Sequence, residues 1–290
     1  MNIQIISPLR MQWESVYKDV FKEHTVVWTD KPINLPEIQI DVKLFMWADV
    51  ETIAYLKNPK ICRYVVFVRR YEMFQGLWMD ADWDKVDDII FVNDYLAKEF
   101  EKTVGIKPHV VYNGVDPCNW TYKDRVGGGK KIAWVGFINQ KKNIPLALQI
   151  MAGLPRDYEL HIAGGIQDLQ TWHYLEHMTG ALKIKVIYHG QIPHEHMDRW
   201  LDDKDYILST AISEGCPNNV IEAMAKGIKP IVHNWNGARQ QFGSFVFDTV
   251  DKAIHEIESP QYDPKLYRHC VEEKFGAANY NKVRDIVCGL

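Results

Sequence analysis

The sequence predicts an α/β protein made of two doubly wound parallel sheets facing a cleft. Three observations carry that prediction. The chain has 290 residues, and at ~150 residues per domain that suits two domains. Strands and helices alternate along it. Two such series are separated by a stretch, residues 124–131, that contains Gly127-Gly128-Gly129 and reads as a hinge or linker. The composition, 47% apolar and 25% charged, excludes disordered, collagen-like and disulfide-scaffold classes. The net charge of −4 disfavours a dedicated nucleic-acid binder, which is usually basic.

In the first series residues 3–6 read as a short apolar strand, 13–21 as a helix and 25–28 as a strand. Residues 35–40 are irregular, with prolines close by. Residues 42–46 suit a strand, 50–56 a helix, and 63–68 a strand rich in β-branched and aromatic residues. A strand at 88–92, a helix at 94–102, a strand at 109–112 and a turn cluster at 113–117 complete the series. The second series places strands at 131–135, 159–163, 186–188, 206–209 and 229–233. Its helices fall at 144–152, 169–177, 194–201 and 220–225, and further helices run to the C-terminus. Two alternating series imply two sheets rather than one barrel. The expected domains are a short one at 1–118, with 276–290 packing back on it, and a second at 119–275.

No run approaches the ~20 apolar residues that span a bilayer. The start of the chain lacks a basic region, and Gln4 interrupts its apolar stretch, so it does not read as a signal peptide. The five cysteines are scattered and form no CxxC pair, which indicates neither a disulfide framework nor a zinc site. The expected compartment is cytoplasmic.

The most informative stretch is Ser213-Glu214-Gly215-Cys216-Pro217-Asn218-Asn219-Val220-Ile221-Glu222-Ala223-Met224-Ala225-Lys226-Gly227. It follows a strand and opens a helix, with Asn218 a plausible N-cap and Gly227 in the place of a helix-ending glycine. The free N–H groups of a helix start form an anion site. A carboxylate one turn inside, Glu222, would accept from a ribose diol, and one in the preceding loop, Glu214, from sugar hydroxyls. Taken alone the two glutamates also suit an exposed helix residue and a helix-entry charge.

With its continuation Ile228-Lys229-Pro230-Ile231-Val232, this stretch resembles the E-G-x-P-x-x-x-x-E-A-M-A-x-G-x-P-V-V signature of the family 4 glycosyltransferases, retaining enzymes of the GT-B fold. Ala133-Trp134-Val135-Gly136, Lys142-Asn143, Leu154-Pro155, the run Leu160 to Gly165, His189-Gly190 and the junction Val110 to Asp116 match in order. The resemblance covers roughly residues 88–285. It implies transfer of a sugar from a nucleotide-diphosphate sugar, UDP-sugar favoured, to a hydroxyl acceptor such as a glycan, without metal or other cofactor. It assigns Glu214 to the donor sugar, Glu222 to the ribose and Lys142 to the diphosphate. The backbone at Gly215, Cys216, Pro217, Asn218 and Asn219 would hold sugar and phosphate, and Gln191 and Ile192 would pack on the base.

The chain departs from the pattern in places. After Gly136 the family usually has an arginine, and here the position is Phe137. Arg239, Arg69 or Arg70 could supply the missing charge. The first loop, Ser7-Pro8-Leu9-Arg10, lacks the glycine pair that lets backbone approach phosphates and acceptor. Where a histidine is usual, after the strand at 63–68, stand Arg69-Arg70-Tyr71-Glu72. Arg69 could stabilise phosphate and Glu72 orient an acceptor hydroxyl, or the four could form surface ion pairs of little worth. Trp13, Trp47, Trp78 and Trp83 suggest a sugar-stacking groove, with core packing the simpler reading for each. The run 74–78 reads as a mobile loop, and Asp80-Ala81-Asp82 as surface acid rather than a metal motif.

The resemblance further implies same-face displacement, in which the leaving diphosphate helps to deprotonate the acceptor and catalysis is largely electrostatic. Two rival classes are a glucosyltransferase of modified nucleic-acid bases and a degenerate protein that binds nucleotide sugar without turnover. Peripheral attachment to a lipid-linked acceptor lacks its usual basic amphipathic helix.

Overall fold

The computed structural model describes the backbone of residues 1–290 and the side chains of all but residues 10–13. Trp13 therefore lies outside the described side chains. The chain divides into two compact units, Met1–Gly114 with Ala277–Leu290, and Val115–Gly276. Each holds one six-stranded parallel sheet flanked by helices. Among the described residues no helix is long and apolar enough to cross a membrane, and all five cysteines are free.

The first unit comprises β1 (Asn2–Ile6), α1 (Arg10–Val20), β2 (Thr25–Thr29), β3 (Val42–Phe45), α2 (Val50–Leu56), β4 (Arg63–Val68), α3 (Arg70–Gln75), β5 (Asp88–Phe91), α4 (Asp94–Val104) and β6 (His109–Val110). Its strand order is β2-β1-β3-β4-β5-β6, a flavodoxin-like winding whose order reverses between β1 and β3. The inner strands are buried on both faces, as parallel strands covered by helices are: every residue of β3 is buried, including Lys43, whose ammonium donates to the Ile33 carbonyl at 2.6 Å. The core gathers Phe45, Tyr64, Phe91 and Phe100 with Trp78 and Trp83. Trp78 and Trp83 sit 5.4 and 4.9 Å from the Phe100 ring, and their indole N–H groups donate to the carbonyls of Met73 and Trp78. These two indoles are core, not groove.

Two expectations here are corrected. The run 74–78 is not a mobile loop. It ends α3, with Gly76 in the left-handed region at φ 72°, and then turns into a short 3₁₀ helix, Leu77–Asp80. Nor does Glu72 stand at the surface. Glu72 is 1% exposed and accepts the Arg69 backbone N–H at 3.0 Å, which caps α3. Burial pushes its carboxyl above the ordinary range.

The second unit comprises β7 (Lys131–Val135), α5 (Ile144–Gly153), β8 (Glu159–Ala163), α6 (Leu169–Leu182), β9 (Lys185–Tyr188), α7 (His194–Trp200), β10 (Tyr206–Ser209), α8 (Asn218–Ala225), β11 (Lys229–His233), α9 (Ala238–Phe242), β12 (Val246–Phe247), α10 (Val250–Glu258) and α11 (Pro264–Lys274). The last helix, α12 (Ala278–Cys288), returns to the first unit and packs on α1 and β3. The second sheet runs β12-β11-β10-β7-β8-β9. Numbered from its own first strand this is the Rossmann order, with β7 and β10 adjacent where the order reverses.

The stretch 124–131 is not a hinge between the units, because it lies within the second one. The Lys123 N–H donates to the Lys226 carbonyl. Arg125 donates to the carbonyls of Leu201, Asp202 and Lys204. Three backbone acceptors on one guanidinium make this a strap tied to its own domain.

Candidate functional site

The site is assembled where β7 and β10 end side by side, at the point where open α/β sheets take their ligands. Beyond β7, Gly136 has φ 154°, and a Cβ there would meet the Lys142 side chain at 2.9 Å. Beyond β8, a Cβ on Gly164 would lie 1.8 Å from the Gly136 carbonyl oxygen. Only glycine permits that approach, which leaves a path for Lys142 across the end of β7.

The turn that carries Lys142 is fixed by three hydrogen bonds. Asn139 accepts the Lys142 N–H through its side chain at 3.0 Å. The Thr210 hydroxyl donates to the Lys142 carbonyl at 2.8 Å and accepts the indole N–H of buried Trp134 at 3.0 Å. The Ile212 N–H donates to the Lys141 carbonyl at 2.9 Å. These bonds sew the turn after β7 to the loop after β10.

That loop delivers Glu214, which is 9% exposed. Lys142 Nζ stands 2.6 Å from its Oε1 and Lys141 Nζ 3.3 Å from its Oε2. Burial alone would raise the Glu214 carboxyl, but the two lysines outweigh it and hold the group below the usual range. Further on, Gln241 donates to the Gly215 carbonyl at 2.7 Å, Cys216 is buried, and Pro217 rather than Asn218 takes the N-cap position of α8. A proline has no side-chain acceptor, so the N-cap residue makes no side-chain cap bond to the first turn of α8. Asn218 is the first helical residue. The Asn219 amide donates to the Val135 carbonyl at 2.7 Å and pins α8 to the end of β7.

Glu222 is also 9% exposed, which disposes of the exposed-helix reading. Its Oε1 lies 2.9 Å from His194 Nε2 at the start of α7. The hydrogen bond to Glu222 raises the His194 pKa against the opposing pull of burial, and the His194 ring meets Trp120 edge-on at 5.7 Å. Phe137, 46% exposed, and Gln191 flank Gly165, while Ile192 is half-buried.

The structure thus brings Gly136, Lys142 and Glu214 to Asn219 to the ends of β7 and β10, and Glu222 to the start of α7. Arg239 is half-exposed and ion-paired with Asp248. Arg69 and Glu72 belong to the first unit. There Arg69 is 8% exposed, donates to the Met46 carbonyl and covers the Phe67 ring at 4.3 Å. Arg70 lies over the Phe74 ring at 5.3 Å. Asp82 pairs with Lys85 at 2.8 Å, and among the described residues no group of three or more His, Cys, Asp or Glu is placed to hold a metal ion. Sequence reading passed over Lys141, His194, Thr210 and Gln241. The doubled lysine before Asn143 was the signal for Lys141, and nothing local marks the others.

These features define a doubly wound α/β unit with buried charged groups where its strand order reverses, and the comparisons name its family. The family described as glycosyl transferases group 1 matches residues 123–273. That is more than half of the chain, and the chain belongs to that family: it is a group 1 glycosyltransferase. Among solved structures, a sucrose-phosphate synthase from Thermosynechococcus elongatus matches with a TM-score of 0.81 at 12% identity, over 100% of this chain and 98% of that one. HepE of Anabaena, in complex with UDP and glucose, matches with a TM-score of 0.77 at 13% identity over 100% of both chains. The lipopolysaccharide outer core galactosyltransferase WaaB, in its apo form, matches with a TM-score of 0.76 at 16% identity over 100% of both. At these identities the likeness is one of fold, and the fold is GT-B. No curated protein matches the chain.

Proposed function

We propose that the protein is a retaining, metal-independent glycosyltransferase of family 4 that moves a sugar from a UDP-sugar to a hydroxyl acceptor on a glycan, in the cytoplasm. The observation that carries this reading is the buried Glu214 held by Lys142 at the junction of β7 and β10. HepE, which shares the fold, is known in complexes with UDP and with UDP-glucose, which supports a uridine donor.

In this reading the diphosphate lies over Gly136 and the start of α8, where the positive end of the helix and Lys142 meet its charge. Glu214 accepts hydrogen bonds from the sugar hydroxyls and Glu222 from the ribose. Gln191, Ile192 and the exposed ring of Phe137 flank the base. Glu214, clasped between ammonium groups, suits holding hydroxyls rather than attacking carbon. The acceptor proton therefore passes to the departing diphosphate, and the sugar is attacked on the face it leaves. The protein contributes fixed positive charge where negative charge develops.

Thermal unfolding measured with UDP, GDP, ADP and CMP, with and without chelator, tests the donor site. A ligand at ~100 times its Kd adds ~2.7 kcal/mol, so UDP should raise Tm by a few degrees irrespective of chelator. Transfer from UDP-sugars should then give a product whose anomeric configuration, read by NMR, equals that of the donor. An inverted product would refute the mechanism, and UDP binding without any product would favour the non-enzymatic reading.

A further inference from the structure

Building on the nucleotide-sugar reading above, we propose that His194 is a proton-operated latch: its imidazolium occupies Glu222 when no nucleotide is bound, the ribose displaces it, and donor affinity therefore depends on pH. The carboxylate assigned to the ribose already has an occupant. Glu222 Oε1 lies 2.9 Å from His194 Nε2. A carboxylate that takes both hydroxyls of a diol uses both of its oxygens, and an imidazole on one of them competes for that place.

The two partners are anchored unequally. The Glu222 side chain is 11% exposed, on a helix whose residues Val220 to Ala225 are all buried. The His194 side chain is 75% exposed and stands at the first position of α7. The carboxylate is fixed, and the imidazole is the side that swings away, by rotation about its own side-chain bonds. The charged groups acting on His194 are Glu222, facing it from α8, and Glu195, beside it on α7. Trp120, which packs edge-on against the ring, carries no charge. Both glutamates favour the imidazolium, and their pull exceeds the opposing effect of burial. A ribose that takes over Glu222 removes the hydrogen bond that is the largest part of this pull. The complex then binds fewer protons than the protein alone. Affinity rises with pH between the ordinary and the raised pKa of His194, and is level on either side.

The test is UDP affinity by calorimetry, from about pH 5.5 to about 8.5, a range that brackets histidine. Wild type, His194→Ala and His194→Asn are compared in buffers of different ionisation enthalpy. UDP has a phosphate ionisation of its own at about 6. It is common to all three proteins, so the difference between wild type and variant isolates His194. At the acid end His194→Ala should bind UDP roughly two- to five-fold more tightly than wild type, the worth of an exposed ion pair. The gap should narrow at the alkaline end. Near neutral pH wild type should release a fraction of a proton more than His194→Ala on binding. His194→Asn, which keeps a neutral donor, should likewise lose the histidine part of the pH dependence. A variant whose affinity follows wild type at every pH overturns the latch. Weaker binding by His194→Ala at every pH also overturns it, and would make His194 a ligand of the ribose. Failure of UDP to bind wild type and variants alike would instead overturn the nucleotide-site reading on which the latch rests.

Discussion

Two carboxylates and the cations they hold set how this site responds to pH. Glu214 has its folded pKa lowered from an ordinary value of 4.5 because Lys142 and Lys141 outweigh the cost of burial. A lowered folded pKa means a stabilising contribution that is complete above the unfolded value and is lost as pH falls through the folded one. Removing one partner of a buried pair costs up to ~3–5 kcal/mol. Lys142→Ala should approach that less closely because Lys141 remains, and Glu214→Gln should flatten the acid limb of the stability curve. Each should also abolish transfer while the fold persists at neutral pH. Near-normal transfer by either variant would remove its residue from the donor site. His194 runs the other way: its hydrogen bond to Glu222 raises the pKa from 6.5. That interaction is complete below the unfolded value and is lost as pH rises through the folded one. In Glu222→Gln, NMR titration should find the His194 pKa below that of the wild type, because burial then acts without its main opponent, and an unchanged titration would dissolve the pair.

At the scale of elements, the site depends on how the turn after β7 is tied to the loop after β10. Thr210 is the knot, since its hydroxyl takes the Trp134 indole N–H and donates to the Lys142 carbonyl. Thr210→Val keeps the shape but strands a buried indole donor, at ~1–3 kcal/mol. Urea denaturation should read that loss, and UDP affinity should fall with it because the turn bearing both lysines loosens. Full stability in the valine variant would mean that the turn holds itself. The ends of α8 show what sequence makes legible. Gly227 was readable because a glycine after an apolar helical run has one usual use. The structure completes it with Gly227 N–H to Met224 and Ile228 N–H to Ala223, a Schellman end. The start was misread, because Asn218 is a good capping residue in the abstract, whereas the loop places Pro217 there, which has no side-chain acceptor. Glu214 and Glu222 could be found from their spacing within a known signature. His194 could not, since its importance lies in a contact with Glu222, far along the chain.

For the whole molecule, alternation of strands and helices was enough to give two wound sheets, because parallel neighbours need a crossover and every crossover here but the one from β2 to β3 carries a helix. It was not enough to give strand order. The first sheet reverses between β1 and β3 and the second between β7 and β10, and no local periodicity records which side of a sheet a crossover takes. The glycine run 127–129 was equally misleading, since glycine marks tight backbone as readily as a hinge. A Cβ on Gly129 would fall 2.0 Å from the Asp205 carboxylate, so there the residue serves close packing inside one unit. The reversal point of the second sheet then decides where a bound nucleotide should be felt. If UDP sits over the ends of β7 and β10, amide hydrogen exchange should slow most at residues 135–143, 189–194 and 210–222. Strap residues 124–130 and helices α10 and α11 make no part of the proposed site and should change little. Protection spread evenly over residues 115–276 would mean only general stabilisation by mass action. Protection absent from all three segments would mean that UDP binds elsewhere, and the roles given to Glu214, Glu222 and Lys142 would fall together.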